Sequence, residues 1–97
     1  MTDGFEVAAR KFVVSGRVQG VGFRAYSARA ARALHLDGGA SNMEDGRVVV
    51  WARGPIHALD RLESALWEGS RLSRVASVEI SDVPLPDDLA AEADVTF

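Results

Sequence analysis

The chain has 97 residues, of which 47% are apolar and 26% charged, a composition that excludes a disordered polymer and allows one small domain with a single core. It contains no cysteine and two histidines, which excludes a disulfide framework and a thiolate metal site. Its net charge of -3 argues against general nucleic-acid binding, which usually requires an excess of basic residues.

The first half of the chain predicts a strand, a glycine-rich loop and a helix. Residues 11–15, KFVVS, have an apolar and partly β-branched centre, which indicates a strand, and the stretch GRVQGVGFR at 16–24 follows it. Residues 23–34, FRAYSARAARAL, predict a helix that ends at the following HLDGG, with its leucine and paired glycines. The expected buried face of this helix consists of Phe23, Tyr26, Ala30, Ala33 and Leu34.

Residues 38–53 predict a β-hairpin, because the tetrapeptide MEDG at 43–46 carries an Asp-Gly turn signal and the β-rich RVVVWAR follows it. Gly54-Pro55 then predicts the start of a second helix, with Gly69 as its stop. The apolar residues at helical spacing in this segment are Ile56, Leu59, Leu62 and Leu66.

Residues 75–80 alternate as VASVEI and predict a half-buried strand, Pro84 and Pro86 indicate a connecting loop, and residues 94–97 fit a last short strand. The order β-α-β-β-α-β predicts an α+β fold, a ferredoxin-like (split βαβ) two-layer sandwich with an antiparallel sheet and two helices on one face. The expected core consists of Phe12, Val14, Phe23, Tyr26, Ala30, Leu34, Val48, Val50, Leu59, Leu62, Leu66, Val75 and Val78.

The chain shows no boundary between domains. We expect one domain over residues 1–97, with an ordered core at about residues 8–83 and a short C-terminal strand at 93–97. The N-terminal MTDGFEVAAR lacks the basic start and apolar core of a signal peptide, and no apolar run approaches membrane-spanning length. We therefore expect a cytoplasmic monomer that binds neither membranes nor nucleic acid.

The glycine loop before the first helix has the chemistry of an anion site. Free backbone N–H groups at the positive end of a helix favour an anion, and the Arg24 guanidinium can hold two phosphoryl oxygens at once. The loop has neither the Lys-Ser/Thr pair of a nucleoside-triphosphate loop nor the GxGxxG dinucleotide pattern. From these residues alone, an anion site and a turn that merely needs positive φ angles both remain open.

Two motifs give the chain a recognisable pattern. The stretch SGRVQGVGFR at 15–24 closely resembles the phosphate-binding signature of acylphosphatases. Gly38 with NMEDG at 42–46, then Val48 and Gly54, resembles the second signature of that family. The resemblance spans about residues 10–83 and implies a hydrolase that cleaves the carboxyl-phosphate bond of acyl phosphates without a metal or cofactor.

The resemblance also implies roles for individual residues. Arg24 would bind the phosphoryl group and Asn42 would hold the attacking water, although the turn by itself would assign Asn42 to local backbone geometry. The leaving carboxylate needs no proton, so positioning and electrostatics suffice for the reaction. The backbone amides expected around the phosphoryl oxygens, or around inorganic phosphate or sulfate, are those of Arg17, Val18, Gln19, Gly20, Val21 and Gly22.

Two positions depart from the second signature. Gly39 stands where the family usually has an aromatic residue, and Ser41 where it has a basic or long polar one. Because strand side chains alternate, both departures fall on the sheet face opposite the helices. We expect Trp51 to cover the space beside Gly39 on that face.

Two alternatives share this fold or this site. A non-catalytic ferredoxin-like binding or accessory module could bind RNA, for which the hairpin offers only Trp51, or a metal ion, for which paired cysteines are absent. A carbamoyl-phosphate-handling acylphosphatase-like domain, as in hydrogenase-maturation proteins, would keep the site and change the substrate.

Overall fold

Five strands and two helices follow the expected order. A computed structural model describes residues 6–84 and 93–97. Its elements are β1 (Val7–Arg17), α1 (Phe23–Ala33), β2 (Asp37–Asn42), β3 (Val48–Pro55), α2 (Ile56–Glu68), β4 (Arg74–Val83) and β5 (Val95–Thr96). The sheet has the order β4-β1-β3-β2-β5 with every pair antiparallel, which confirms the predicted α+β sandwich. Pro86 of the expected connecting loop lies outside the described residues.

The strands are longer than their apolar cores predict. β1 starts at Val7 and ends at Arg17, because it lies between two neighbours, β3 and β4, whose ladders pair its polar ends as well. None of the helices in the described part of the chain is long and apolar enough to cross a membrane.

The core lies between the helices and one face of the sheet. Phe12 and Val14 of β1 and Val48 and Val50 of β3 point to the helices and are fully buried. Their partners on α2 are Leu59, Leu62 and Leu66. Every predicted core residue is buried or packs, partly buried, against this cluster, which confirms the expected strand register.

The predicted face of α1 is wrong at one residue. Ala33 is exposed, whereas Phe23, Ser27 and Ala31 form the buried row at a spacing of four. Ala33 was predicted from its spacing with the other apolar residues of the helix. The polar Ser27 is buried instead, and its hydroxyl donates to the backbone oxygen of Phe23 at 2.8 Å and is therefore satisfied in the core. The helix is rotated accordingly toward its smallest side chains.

A flank of α1 contacts α2 through Tyr26. Its hydroxyl donates to the backbone oxygen of Ala65 at 2.8 Å. Burial, with the nearby Glu68 carboxylate, raises the pKa of Tyr26 above its ordinary value, so the phenol keeps the proton that this bond needs.

The end of α1 also differs from the prediction, because no glycine terminates it. His35 adopts the left-handed conformation with φ 57°, and the N–H of His35 and that of Leu36 donate back to the carbonyls of Arg32 and Ala31. The paired glycines that were expected to stop the helix lie instead in β2.

The open face of the sheet confirms the expected position of Trp51. In the β2–β3 register Trp51 lies directly opposite Gly39, and on its other side it is opposite Lys11 of β1. Trp51 is half-buried although neither α1 nor α2 covers this face, and Gly39 beside it is buried. The strand register therefore places Trp51 beside Gly39, as expected.

Gly38→Ala tests the close approach of β2 to β3. Gly38 has φ 143°, and a β-carbon there would overlap the backbone oxygen of Trp51, so we expect urea unfolding to show a loss of about 2 to 4 kcal/mol. Gly46→Ala is the control, because Gly46 also has a positive φ but has open space around it, and should cost about 1 kcal/mol. Equal losses would contradict a steric constraint at Gly38.

Candidate active site

The loop between β1 and α1 presents a run of backbone N–H groups. Gly20 and Gly22 have φ 72° and 75°, left-handed values that turn successive N–H groups toward a common side. In residues 6–84 and 93–97, no carbonyl or side chain accepts a hydrogen bond from the N–H groups of residues 18–22. These donors are therefore available to an external acceptor.

The start of α1 adds positive charge beside this loop. Gly22 is the N-cap, no side chain of the described residues caps the helix, and its first turn contains no acidic residue. The positive end of the helix dipole is therefore not neutralised by its own first turn. Arg24 lies in the same turn. A cavity of about 210 Å³ opens here, lined by Val18, Gly20, Gly22, Phe23, Arg24, Ala25 and Val95.

Two side chains fix the loop to its surroundings. The Gln19 amide donates from Nε2 to the backbone oxygens of Met43 and Arg47 at 2.7 and 2.9 Å. The Ser70 hydroxyl donates to the backbone oxygen of Val21 at 3.1 Å. The loop is thus held to the hairpin turn on one side and to the segment after α2 on the other. The sequence predicted a role only for the backbone of Gln19, although its long amide side chain in a glycine-rich loop is a signal for such a crosslink.

Asn42 ends β2 directly before the hairpin turn. The turn is closed by backbone bonds, from Met43 to Arg47 at 2.8 Å and from Gly46 to Met43 at 3.2 Å. Within the turn, the Asp45 carboxylate accepts a hydrogen bond from the backbone N–H of Arg47, and this bond is the main reason that the pKa of Asp45 is lowered. The side-chain amide of Asn42 is exposed and has no hydrogen-bond partner among the described residues. The turn therefore does not need this amide, which leaves it available for another role.

Arg24 and Asn42 meet at a residue that the sequence did not indicate. Arg24 donates from Nη1 to the Asp94 carboxylate oxygen Oδ2 at 3.0 Å, and the backbone N–H of Asn42 donates to the same oxygen at 3.0 Å. Asp94 is 70 and 52 residues away from them along the chain. The local sequence does not identify Asp94 as a site residue, because it is one of several acidic residues near the C-terminal end of the sequence, a pattern typical of a solvent-exposed segment.

The candidate residues thus lie in one region, except for the side chain of Arg17. Residues 18–22, Arg24 and Asn42 surround the start of α1 and the end of β2. Arg17 ends β1 opposite Arg74 and its side chain is exposed, so only its backbone adjoins the loop.

A profile of the acylphosphatase family matches residues 10–92. The chain belongs to the acylphosphatase family. It is 51% identical over 75 residues to an acylphosphatase of Alkalilimnicola ehrlichii, a match that covers 77% of this chain and 84% of that protein. It is 50% identical over 68 residues to an acylphosphatase of Thermus thermophilus, covering 70% and 77% of the two chains.

A solved structure of an acylphosphatase shares the fold described above. The crystal structure of an acylphosphatase from Bacillus subtilis superposes with a TM-score of 0.80 at 33% identity, covering 88% of this chain and 93% of that one. The family resemblance expected from the two motifs is therefore confirmed over most of the chain.

Gln19→Met tests whether the amide crosslink holds the loop. Methionine keeps the length of the side chain and removes both hydrogen bonds, so urea unfolding should show a loss of about 1 to 3 kcal/mol, at about 0.5 to 1.5 kcal/mol per bond. Ser64→Ala is the control, because the Ser64 hydroxyl makes only a 3.4 Å bond on an exposed helix face, and it should be nearly neutral. Similar values for both variants would show that the Gln19 bonds do not hold the loop.

Proposed function

We propose that this member of the acylphosphatase family hydrolyses acyl phosphates to a carboxylate and inorganic phosphate, with the phosphoryl group held by residues 17–22 and Arg24 and the water oriented by Asn42. The observation that carries the proposal is the run of N–H groups at residues 18–22 without partners in the described chain, beside an uncapped helix start and a guanidinium. The family and the names of its curated relatives identify the same activity.

Binding would place the phosphoryl oxygens among donors that are already oriented. The N–H groups of residues 18–22 and the first turn of α1 supply several hydrogen bonds, and the Arg24 guanidinium supplies a full positive charge. Because Gln19 and Ser70 hold the loop in place, little reorganisation is needed as charge develops on the phosphoryl group. The proposal requires no metal, since the guanidinium and the amides supply the positive field.

The chemical step would be attack by water on phosphorus. The bond from phosphorus to the acyl oxygen breaks, its electron pair leaves with the carboxylate, and the water proton passes to solvent as inorganic phosphate forms. A carboxylate is a weak base, so no general acid is needed, and the described residues that line the cavity include no carboxyl or imidazole group. The Asn42 amide would accept a hydrogen bond from the water and fix its approach.

All of these groups come from one chain, which supports our proposal that the enzyme acts as a monomer. We also propose that it acts in the cytoplasm. Carbamoyl phosphate carries the same phosphoryl group on a different acyl part, so residues 17–22 and Arg24 would bind it in the same way. We observe no feature that favours a binding module without catalysis.

The proposed activity is tested with benzoyl phosphate, carbamoyl phosphate and p-nitrophenyl phosphate, measured side by side as release of inorganic phosphate. We expect fast release from benzoyl phosphate and very slow release from p-nitrophenyl phosphate, because its phenolate leaving group is more basic than a carboxylate and receives no proton from the site. Release from carbamoyl phosphate alone would identify the accessory-domain alternative. No release from any of the three would contradict the proposed activity.

Arg24→Ala and Asn42→Ala should differ in kind. Arg24→Ala removes a charged contact to both substrate and transition state, so phosphate inhibition should weaken and turnover should fall by a factor that corresponds to about 3 kcal/mol or more. Asn42→Ala should lower kcat by on the order of a hundredfold or more and leave the phosphate inhibition constant nearly unchanged, because it removes only the group that orders water.

The control for both variants is Arg29→Ala, which removes an exposed guanidinium from the same helix and should change neither constant. Steady-state rates on benzoyl phosphate with phosphate as the competitive inhibitor decide the outcome. Equal losses of phosphate affinity in both variants would show that Asn42 binds phosphate or supports structure rather than orienting water.

A further inference from the structure

We infer that Asp94 is a positioning residue that sets Arg24 and Asn42 relative to each other, and that the Ser41 hydroxyl holds Asp94 in place. The inference rests on the proposed function for the roles of Arg24 and Asn42. It assigns Asp94 no contact with substrate.

One carboxylate oxygen of Asp94 connects α1 with the end of β2. Oδ2 of Asp94 accepts from the Arg24 guanidinium in the first turn of α1 and from the backbone N–H of Asn42 at the end of β2, each at 3.0 Å. A charged acceptor makes stronger hydrogen bonds than a neutral one. Arg24, which is proposed to bind the phosphoryl group, and Asn42, which is proposed to orient the water, are therefore both hydrogen-bonded to the same oxygen atom.

Asp94 is itself held by the short strand that follows it. The backbone N–H of Asp94 donates to the Ser41 hydroxyl at 2.9 Å. The Phe97 N–H donates to the Gly38 carbonyl at 3.0 Å, and the Phe97 side chain packs against the core. From α1, Arg32 donates to the Thr96 carbonyl at 2.6 Å. These contacts keep β5 on the edge of β2, with Asp94 at the end nearest the site.

Ser41 is one of the two departures from the family's second signature, and the contact with Asp94 explains it. A hydroxyl oxygen can accept a hydrogen bond from a backbone N–H, whereas a lysine or arginine at this position has only donors. A basic side chain at residue 41 would also compete with Arg24 for the Asp94 carboxylate. Serine here and aspartate at 94 are therefore mutually compatible.

The geometry distinguishes positioning from blocking. A carboxylate beside an anion site could instead occupy the place of phosphate and inhibit binding. Asp94 does not line the 210 Å³ cavity, to which β5 contributes Val95. Among the described residues Arg24 uses only Nη1 in its bond to Asp94, so its other N–H groups remain for a phosphoryl group. The carboxylate therefore lies beside the cradle and orders the guanidinium before substrate arrives.

Asp94→Ala, Asp94→Asn and Ser41→Ala test the inference on benzoyl phosphate, with inorganic phosphate as the probe of binding. Asp94→Ala should lower kcat by about tenfold and weaken phosphate binding severalfold, because Arg24 must then be ordered at the moment of binding. Asp94→Asn should retain more of both, since its amide oxygen can still accept from Arg24 and Asn42. Ser41→Ala should give a smaller loss in the same direction.

The matched control is Asp37→Ala, which removes another exposed carboxylate of the β2 region, paired with Arg53 at 3.1 Å at the far end of the strand. It should leave kcat and phosphate affinity unchanged. Thermal unfolding of every variant identifies any general loss of the fold, and Asp94→Asn preserves the test if Asp94→Ala does not fold.

Two further measurements separate positioning from a structural role. The double variant Arg24→Ala with Asp94→Ala should bind phosphate no more weakly than Arg24→Ala alone, because the effect on binding passes through Arg24. Hydrogen exchange of the Asn42 backbone amide should accelerate in Asp94→Ala and stay unchanged in Asp37→Ala.

Three outcomes would overturn the inference. Tighter phosphate binding in Asp94→Ala would mean that the carboxylate competes with anions. An additive loss of phosphate affinity in the double variant would mean that Asp94 does not act through Arg24. Unchanged exchange at Asn42 would mean that the bond to its N–H does not order the residue. If the wild-type protein releases no phosphate from any substrate, the proposed function fails, while phosphate affinity measured by calorimetry and amide exchange still decide the role of Asp94.

Discussion

The site depends on one constraint: the N–H groups of residues 18–22 have no acceptor within residues 6–84 and 93–97. Backbone donors in a folded chain are nearly always paired, and a run of them is maintained only where water or a ligand can supply acceptors. The left-handed Gly20 and Gly22 create this run, and no side chain in the described part of the chain caps the start of α1 beside it. These features support the proposal that the loop binds an anion.

Such a loop functions only if it is rigid, and its rigidity comes from other parts of the fold. The Gln19 amide joins it to the hairpin turn, and the Ser70 hydroxyl joins it to the segment that follows α2. The hairpin turn directly follows Asn42. The Gln19 hydrogen bonds that hold the loop therefore also set the distance between the loop and Asn42. Preorganisation of this kind is the main contribution a protein can make to phosphoryl transfer.

Charge is distributed locally rather than over the whole molecule. The chain has a net charge of -3, yet the start of α1 combines a guanidinium with an uncapped helix terminus. Asp94 reduces that positive charge somewhat, and its side chain and that of Arg24 are 43% and 38% exposed, so solvent weakens their attraction. Its contribution is therefore geometric rather than energetic: an exposed ion pair adds little stability, but it restricts where a flexible arginine lies.

Local patterns in the sequence determined the order of elements, the core and the two motifs, because apolar periodicity and turn chemistry act over a few residues. They were sufficient to place Phe12, Val14 and the leucines of α2, and to put Trp51 opposite Gly39. Only the tertiary structure decided the rotation of α1, where a backbone carbonyl satisfies the buried Ser27, and the end of that helix, where His35 adopts the conformation expected of a glycine. Asp94 depends on it most of all. Its three partners, Ser41, Asn42 and Arg24, come from β2 and α1, and sheet pairing between chain segments more than fifty residues apart is what brings a carboxylate to them.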